Sequence, residues 1–416
     1  MVIRYVKNPV FLSVIILVLC FYSGKFKVRG QNGINTVIPQ DKIRIISGKI
    51  ISSPVKSGSG KNYVCKIQLD SSSDLSIKAS ARGICSLFIP SEAVEAFFPG
   101  KLYSKAKGEN QYLYDAGAFY TFKGKFYQEN FMAEKCINCF WKNNLSGKLD
   151  FIRAQSRLQF KRLMYRWKNA GGLLLALLCG EREYTEKSIS DSFKNAGLSH
   201  ILALSGMHLS MFSAIALFIG NRIGRKRLSF IIRITVLIFF VWFAGFSPSL
   251  LRAFICAMLV IFSLLADVNN IDMIMILCFS FLLQSVIRPE DIYNYAFMLS
   301  YGALFGILFT NKIFFRFFNL FLPQYFASSL SSSSGAQLFT LPMSLKFFSS
   351  YSPVGIIATS IVSPLVTIFI YSGLLLIIIS LIFPSLVDYS GILLNFEYTV
   401  LNKIVSFFAK APRISI

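Results

Sequence analysis

The chain has 416 residues, 54% of them hydrophobic and 15% charged, with 43 Lys/Arg against 20 Asp/Glu for a net charge of +23. Soluble domains carry roughly 25% charged residues, so this composition, with 42 Phe, excludes both intrinsic disorder and a wholly soluble basic protein. The charge is uneven: +2 over residues 1–24, +15 over 25–168 and +6 over 169–416.

Residues 9–22 (PVFLSVIILVLCFY) form an apolar run behind Arg4 and Lys7. A signal peptide would look similar, but no A-x-A cleavage site follows, which favours an uncleaved short span or signal anchor over a cleaved signal, with the N-terminus cytoplasmic and residues 25–168 outside. From 42 to 130 the pattern turns to short alternating or β-branched stretches, 43–51, 62–69, 84–90, 101–108 and 119–127, separated by Ser/Gly turns. Five such strands at regular spacing predict a small β-barrel, and an OB-like one fits the size.

Basic and aromatic residues interleave in this domain. Lys101, Tyr103, Lys105, Lys107, Lys123 and Lys125 are candidate DNA contacts, because lysines follow phosphates and rings stack on bases. The competing expectation is that the rings are core and the lysines a solvated face. Cys65, Cys85, Cys136 and Cys139 are candidate disulfide cysteines in an oxidising compartment, as Cys65–Cys85 and Cys136–Cys139. A zinc site is the alternative, weakened by a single CxxC, and no metal is assigned. Residues 148–170 place Leu149, Ile152, Leu158, Leu163 and Trp167 at helical spacing among seven Lys/Arg. This predicts a basic amphipathic helix suited to anionic headgroups or to a DNA path.

Residues 171–180 are too short to span, since a span needs about 20 residues, and suggest a re-entrant or surface helix. Further apolar runs lie at 199–219, 228–246, 249–266, 271–287, 293–310, 334–348, 353–383 and 390–409. The cluster Arg222–Arg227 is placed in the cytoplasm by the positive-inside rule. We expect about seven to nine spans, with 334–348 re-entrant to satisfy parity.

The chain's two histidines, His200 and His208, flank Ser205 and Gly206 in one apolar segment. Ionisable groups there are expensive and mark a path, a helix–helix hydrogen bond or a catalytic site. A Ser205/His208 hydrolase lacks a GxSxG elbow and a nearby acid. In GFSPSLLRAF (245–254), Ser247 and Pro248 start a helix and Arg252 follows one turn later. Helix start and guanidinium together suit a phosphate; a snorkelling arginine is the plainer reading. Gln284, Ser300 and Gln337 add polar points to later runs.

Four stretches resemble the ComEC competence family, the bacterial inner-membrane DNA uptake channels. LLLALLCGEREYTEKSISDSFKNAGLSHILALSGMHLSMF (173–212) is similar to that family's "LLxALxxGxR…GxxHLLAISGLHV" segment. Residues 245–259 resemble its "GxSPSxxRAxxM" segment. Residues 287–308 resemble "xxPxxLxDxGFQLSFxAxxGI", with Asn294, Tyr295 and Met298 departing from the pattern. Residues 336–366 resemble "AQLxTLPL…NLxxxPxV", with Thr359 in place of Asn. The resemblance covers roughly 170–410, and more weakly the external domain.

The resemblance implies an α-helical polytopic membrane protein with a small extracytoplasmic OB-like β-barrel domain. It implies a multi-pass inner-membrane channel for single-stranded DNA during natural transformation, without enzyme activity of its own and without a cofactor. The expected path residues are His200, Ser205, Gly206, His208, Ser247, Arg252 and Gln337. Larger members carry a metallo-β-lactamase-like domain. This chain has no HxHxDH cluster and no Walker A motif, and reads as a short form. Expected partners are single-stranded DNA, membrane lipid, a separate nuclease, an ATP-driven motor protein and a second copy of the chain. The domains read as anchor 1–24, external β domain 25–135, basic connector 136–170 and polytopic domain 171–410. Two other readings remain open: an intramembrane hydrolase, and an envelope protein binding anionic lipid or polymer.

Overall fold

The computed structural model describes residues 8–23, 34–74, 78–104, 113–181, 184–268, 270–348 and 350–415. Helix α1 (Pro9–Tyr22) leads into a β domain with strands β1 (Asn35–Thr36), β2 (Ile45–Ile50), β3 (Val55–Lys56), β4 (Asn62–Ser73), β5 (Lys78–Arg82), β6 (Ile84–Pro90), β7 (Phe119–Tyr127) and β8 (Asn130–Phe140). A short helix α2 (Ser91–Glu95) follows β6.

The pairings make a ring. β2 pairs antiparallel with β4, β4 with β6, β6 runs parallel to β8, β8 pairs antiparallel with β7, and β7 returns to β2. Alternation of side chains sends one face of each strand inward. Ile46, Ile50, Tyr63, Ile67, Leu87, Tyr120, Phe122 and Phe131 are all buried there. Four expected strands correspond to β2, β4, β6 and β7. The stretch 101–104 forms no strand, and 105–108 lies outside the described residues. β8 escaped sequence reading because two register shifts interrupt its alternation against β7.

All eight cysteines are free thiols. Cys65 stands opposite Leu87 and Cys85 opposite Ile67, so the two cysteines are diagonal neighbours. Diagonal Cα atoms lie about 7–8 Å apart, at the edge of what an unstrained bridge spans. Cys136 and Cys139 pair in register with Phe122 and Tyr120.

Helix α3 (Leu145–Arg166) starts at Asn144, whose side chain accepts the Gly147 N–H. It differs from the expected amphipathic helix. Leu149 and Ile152 are exposed, while Arg157 and Arg162 are buried beside Leu158 and Leu163. These arginines are structural: Arg162 Nε donates to Phe97 O at 2.9 Å and Nη1 to Ser104 O at 2.8 Å. Lys168 breaks the helix with a φ of 52°, and α4 (Lys168–Cys179) continues. Of the expected re-entrant or surface helix, the surface placement is overturned here, because every residue from Ala170 to Cys179 is buried. This twelve-residue helix, too short to span, is used as core, packed on α14 (Val387–Phe408). Trp167 Nε1 donates to Val387 O at 2.8 Å, and Asn395 Nδ2 to Trp167 O at 2.9 Å, locking that contact.

The remaining helices are α5 (Lys187–Asn195), α6 (Ser199–Leu202), α7 (Gly206–Ile223), α8 (Lys226–Ala244), α9 (Pro248–Leu265), α10 (Met273–Ile287), α11 (Tyr295–Phe318), α12 (Gln324–Phe348) and α13 (Gly355–Ile382). Among the described residues four are long and apolar enough to cross a membrane: Arg227–Ala244, Pro248–Leu265, Tyr295–Phe318 and Gly355–Ile382. Seven to nine such runs were expected. The difference arises because α10 is short, and α7, α12 and α14 are more polar. The run 334–348 is the second half of the unbroken helix α12, which carries Pro342 inside it. α11 and α12 approach closely: a Cβ on Gly306 would lie 2.3 Å from Gly335 O. α1 packs Val14, Leu17, Val18 and Phe21 onto the cluster around Leu277 and Phe281.

Candidate functional site

The polar segment around Ser205 is a helix start. α6 ends, Ala203–Ser205 is extended, and Gly206 opens α7. Ser205 occupies the N-cap, and its backbone N–H donates to His208 Nδ1 at 3.2 Å, His208 standing at N3 of a capping box. The Ser205 hydroxyl is 3.4 Å from the same nitrogen. His208 is fully buried, and its Nε2 has no partner. No carboxylate orients the ring among the described residues.

Gly245, at a φ of 99°, ends α8 in a conformation that side chains disfavour. Ser247 then caps α9, accepting the Leu250 N–H at 3.3 Å, with Pro248 in the first turn. One turn on, Arg252 is buried. Its Nη1 donates to Ser300 O and its guanidinium lies 5.9 Å from the Tyr301 ring centroid. Nη2 lies 3.4 Å from where a Cβ on Gly206 would sit, so the starts of α7 and α9 meet at this side chain. Ser249 and Ser300 hydroxyls pair at 2.8 Å.

A buried polar chain continues from there. Tyr301 OH donates to Gln284 Oε1 at 3.1 Å, and Gln284 Nε2 donates to Pro248 O at 3.1 Å and Asp291 Oδ2 at 3.0 Å. Ser280 and Tyr301 hydroxyls are 3.3 Å apart. Asp291 sits on the 3-10 turn Pro289–Tyr293. The Gln284 amide is thus satisfied at both ends by Tyr301, Pro248 and Asp291, as low-dielectric surroundings demand.

Ser205, Gly206, His208 and Arg252 are therefore brought together, with Ser247 one turn before Arg252. His200 is exposed on α6. Gln337 lies elsewhere, its Oε1 accepting Tyr351 OH at 2.5 Å, beside Gly355, whose backbone touches Gly197. Sequence reading missed Tyr301, Ser280 and Asp291. A lone Gln284 in an apolar run was a usable signal, since such a group needs partners; Tyr301 carries no mark in so aromatic a chain.

The DNA-contact candidates of the β domain divide into groups. Lys123 and Lys125 are exposed on β7, with Lys123 in register with exposed Lys135. Nearby on the same pair of strands, Phe119 and Phe140 stack at 5.1 Å and Lys142 Nζ lies 4.9 Å from the Phe119 ring centroid. Tyr114, Tyr120 and Phe122 are buried and stacked on one another, so those rings are core. Lys101 lines a cavity of about 720 Å³ with Tyr165, Arg166, Lys168 and Pro384. Tyr103 is a tether between domains: its N–H donates to Gln159 Oε1 at 2.9 Å and its OH to Leu381 O at 3.4 Å. Lys105 and Lys107 lie outside the described residues.

The same junction holds a buried charge cluster that sequence reading did not foresee. Arg157 Nε is 3.3 Å from Asp115 Oδ2, Nη2 binds Glu181, and Nη1 donates to Phe243 O of α8 at 3.0 Å. Lys161 Nζ is 2.9 Å from Glu181 Oε2. Burial alone would raise Asp115. Arg157, then Arg153, then the Ser53 hydroxyl and the Ala116 N–H outweigh it and hold the carboxyl below its usual range. No group of three His, Cys, Asp or Glu able to hold a metal occurs among the described residues.

The chain is 27% identical over 208 residues to ComE operon protein 3 of Bacillus subtilis (strain 168), covering 49% of this chain and 25% of the relative. It is 26% identical over 242 residues to an uncharacterized protein of Aquifex aeolicus (strain VF5), covering 58% of this chain and 55% of the relative. It thus spans a quarter and about half of the length of these two relatives. No solved structure matches the chain. The model of the family described as "Competence protein" matches residues 177–416. That match takes in more than half of the chain and every residue of the Arg252 site, and the chain belongs to this competence protein family.

Proposed function

We propose that the protein conducts single-stranded DNA across the bacterial inner membrane during natural transformation. The observation that carries this reading is the meeting of two interrupted helix starts at a buried arginine, Arg252, in the part of the chain that matches the competence family. Broken helices whose amino ends converge on a buried site are how membrane transport proteins receive anions. The ring of five strands, with one parallel pair among antiparallel ones, supports reading this domain as an OB-like barrel. In this reading its outer face around Lys123, Lys125 and Phe119 receives the strand outside the membrane, and lysine and ring supply phosphate and base contacts. The Ser205/His208 geometry favours a cap over a nucleophile–base pair, because Nδ1 accepts the Ser205 amide.

On this reading the chain works with a separate nuclease and an ATP-driven motor protein, and as a multi-pass protein in contact with lipid. The test is transformation frequency in the source organism. Deleting the gene abolishes it, and restoring the wild-type gene returns it. Lys123→Gln with Lys125→Gln weakens oligonucleotide binding by the purified full chain and flattens its salt slope by about two. Normal transformation in the deletion strain overturns the proposal. DNA-independent turnover lost in Ser205→Ala would favour the hydrolase instead.

A further inference from the structure

We propose that the amino end of α7 and the Arg252 side chain form a seat for one phosphate group of the DNA strand, an inference that rests on the DNA reading above. The guanidinium has two faces here. Nη1 is committed to Ser300 O, whereas Nε is buried with no partner and Nη2 faces Gly206. Nε and Nη2 are the two donors of the planar side-on fork that matches two oxygens of a phosphate. No carboxylate lies within 4.0 Å of Arg252 among the described residues, although the side chain is only 9% exposed.

What faces the fork is another positive end. Gly206 and Met207 open α7, and the first amides of a helix have no carbonyl four residues back to donate to. Neither amide donates to another backbone carbonyl outside α7. Ser205, Gly206 and Met207 are half-buried and Ala203 is exposed, so this turn opens to the surface. A guanidinium against a helix amino end is an unfavourable pair by itself. An anion between them satisfies the fork, the free amides and the helix dipole at once. Glycine at 206 leaves a methyl-sized gap beside the fork, where one phosphate oxygen would sit: a Cβ there would stand 3.4 Å from Nη2 and 3.5 Å from the Ala253 Cβ, an ordinary contact.

Two variants follow from that geometry. Gly206→Ala fits without a clash and places a methyl group where the anion would sit. Arg252→Lys keeps the charge and removes the fork. The experiment uses the full chain purified in detergent, with thermal unfolding as the check on folding. Binding is measured for a fluorescent oligothymidylate and for inorganic phosphate, with phosphatidylglycerol micelles as a competitor. The expected result is wild-type unfolding for Gly206→Ala with oligothymidylate affinity on the order of tenfold weaker, a similar loss in Arg252→Lys, and competition by phosphate in the wild type. Wild-type affinity in both variants overturns the seat, as does displacement of oligothymidylate by phosphatidylglycerol through Arg252. Phosphate binding that depends on Arg252, together with normal transformation in the deletion strain, retains the anion seat and sinks the DNA reading alone.

Discussion

Arg157→Met removes the guanidinium from between two buried carboxylates while keeping most of the side-chain volume. Asp115 and Glu181 are 5% and 4% exposed, and Arg157 itself is 5% exposed. Breaking a buried ion pair from one side costs about 3–5 kcal/mol, because the remaining charge is left without compensation. The bond to Phe243 O adds about 1 kcal/mol. Lys161 stays beside Glu181 at 2.9 Å and Arg153 still acts on Asp115, which pulls the total toward the lower end. We expect a loss of about 3–5 kcal/mol, read by thermal unfolding of the full chain in detergent. Trp141 and Trp167, packed in the two cores that meet at this junction, are the fluorescent reporters.

The companion variant adds Asp115→Asn and Glu181→Gln. With the orphaned charges gone, most of the loss returns. A triple variant no more stable than Arg157→Met would refute the electrostatic account and shift the cost to the Phe243 tether. A single variant within about 1 kcal/mol of wild type would refute the buried cluster itself. Acid supplies an independent check. The Asp115 carboxyl is held below its usual value, so its stabilisation is fully present above about pH 4 and is lost as pH falls through the lower folded value. Without Arg157, burial dominates and the acid limb of Arg157→Met moves to higher pH.

Trp167→Ala empties a fully buried site and strands Val387 O, and should cost about 3–5 kcal/mol in the same unfolding assay. Gly306→Ala puts a methyl group against Gly335 O and forces α11 and α12 apart; the variant is expected to unfold several degrees lower, and an unchanged midpoint would contradict the close approach. Gln284→Leu removes the Nε2 donor from Asp291 Oδ2 and the Oε1 acceptor from the Tyr301 hydroxyl, which keeps Ser280 at 3.3 Å, and should cost about 1–3 kcal/mol in the same unfolding assay. Burial raises the thiols of Cys65 and Cys85, the latter to about 12, and those of Cys136 and Cys139 to about 11. Alkylation at pH 8 followed by mass spectrometry should therefore label buried Cys65 and Cys85 only after unfolding, and half-buried Cys136 and Cys139 slowly in the folded protein; fast labelling of Cys65 in the folded protein would contradict its placement.

Sequence alone determined the broad plan of this protein. Alternation with period two located β2, β4, β6 and β7, and the clustering of lysine before residue 168 marked the β domain, because a strand with one buried face must send alternate residues to opposite sides. Ser247 was legible as a helix start, since capping is local chemistry, whereas Ser205 read as part of one continuous apolar run and only the structure shows it as a cap. The tertiary structure decided what each polar group is for. Arg157 and Arg162 have the same sequence appearance as the exposed lysines, and only the approach of Asp115, Glu181, Phe97 and Ser104 from distant segments makes them buried ties. Tyr120 and Phe122 are core while Phe119 faces outward, a division set by which face the ring of strands closes around. α4 reads as too short for a membrane and is central instead, because α14 folds over it. Arg252 was visible as a charge in an apolar run, but its meaning comes from Gly206, 46 positions away, and from the unfilled fork that faces it.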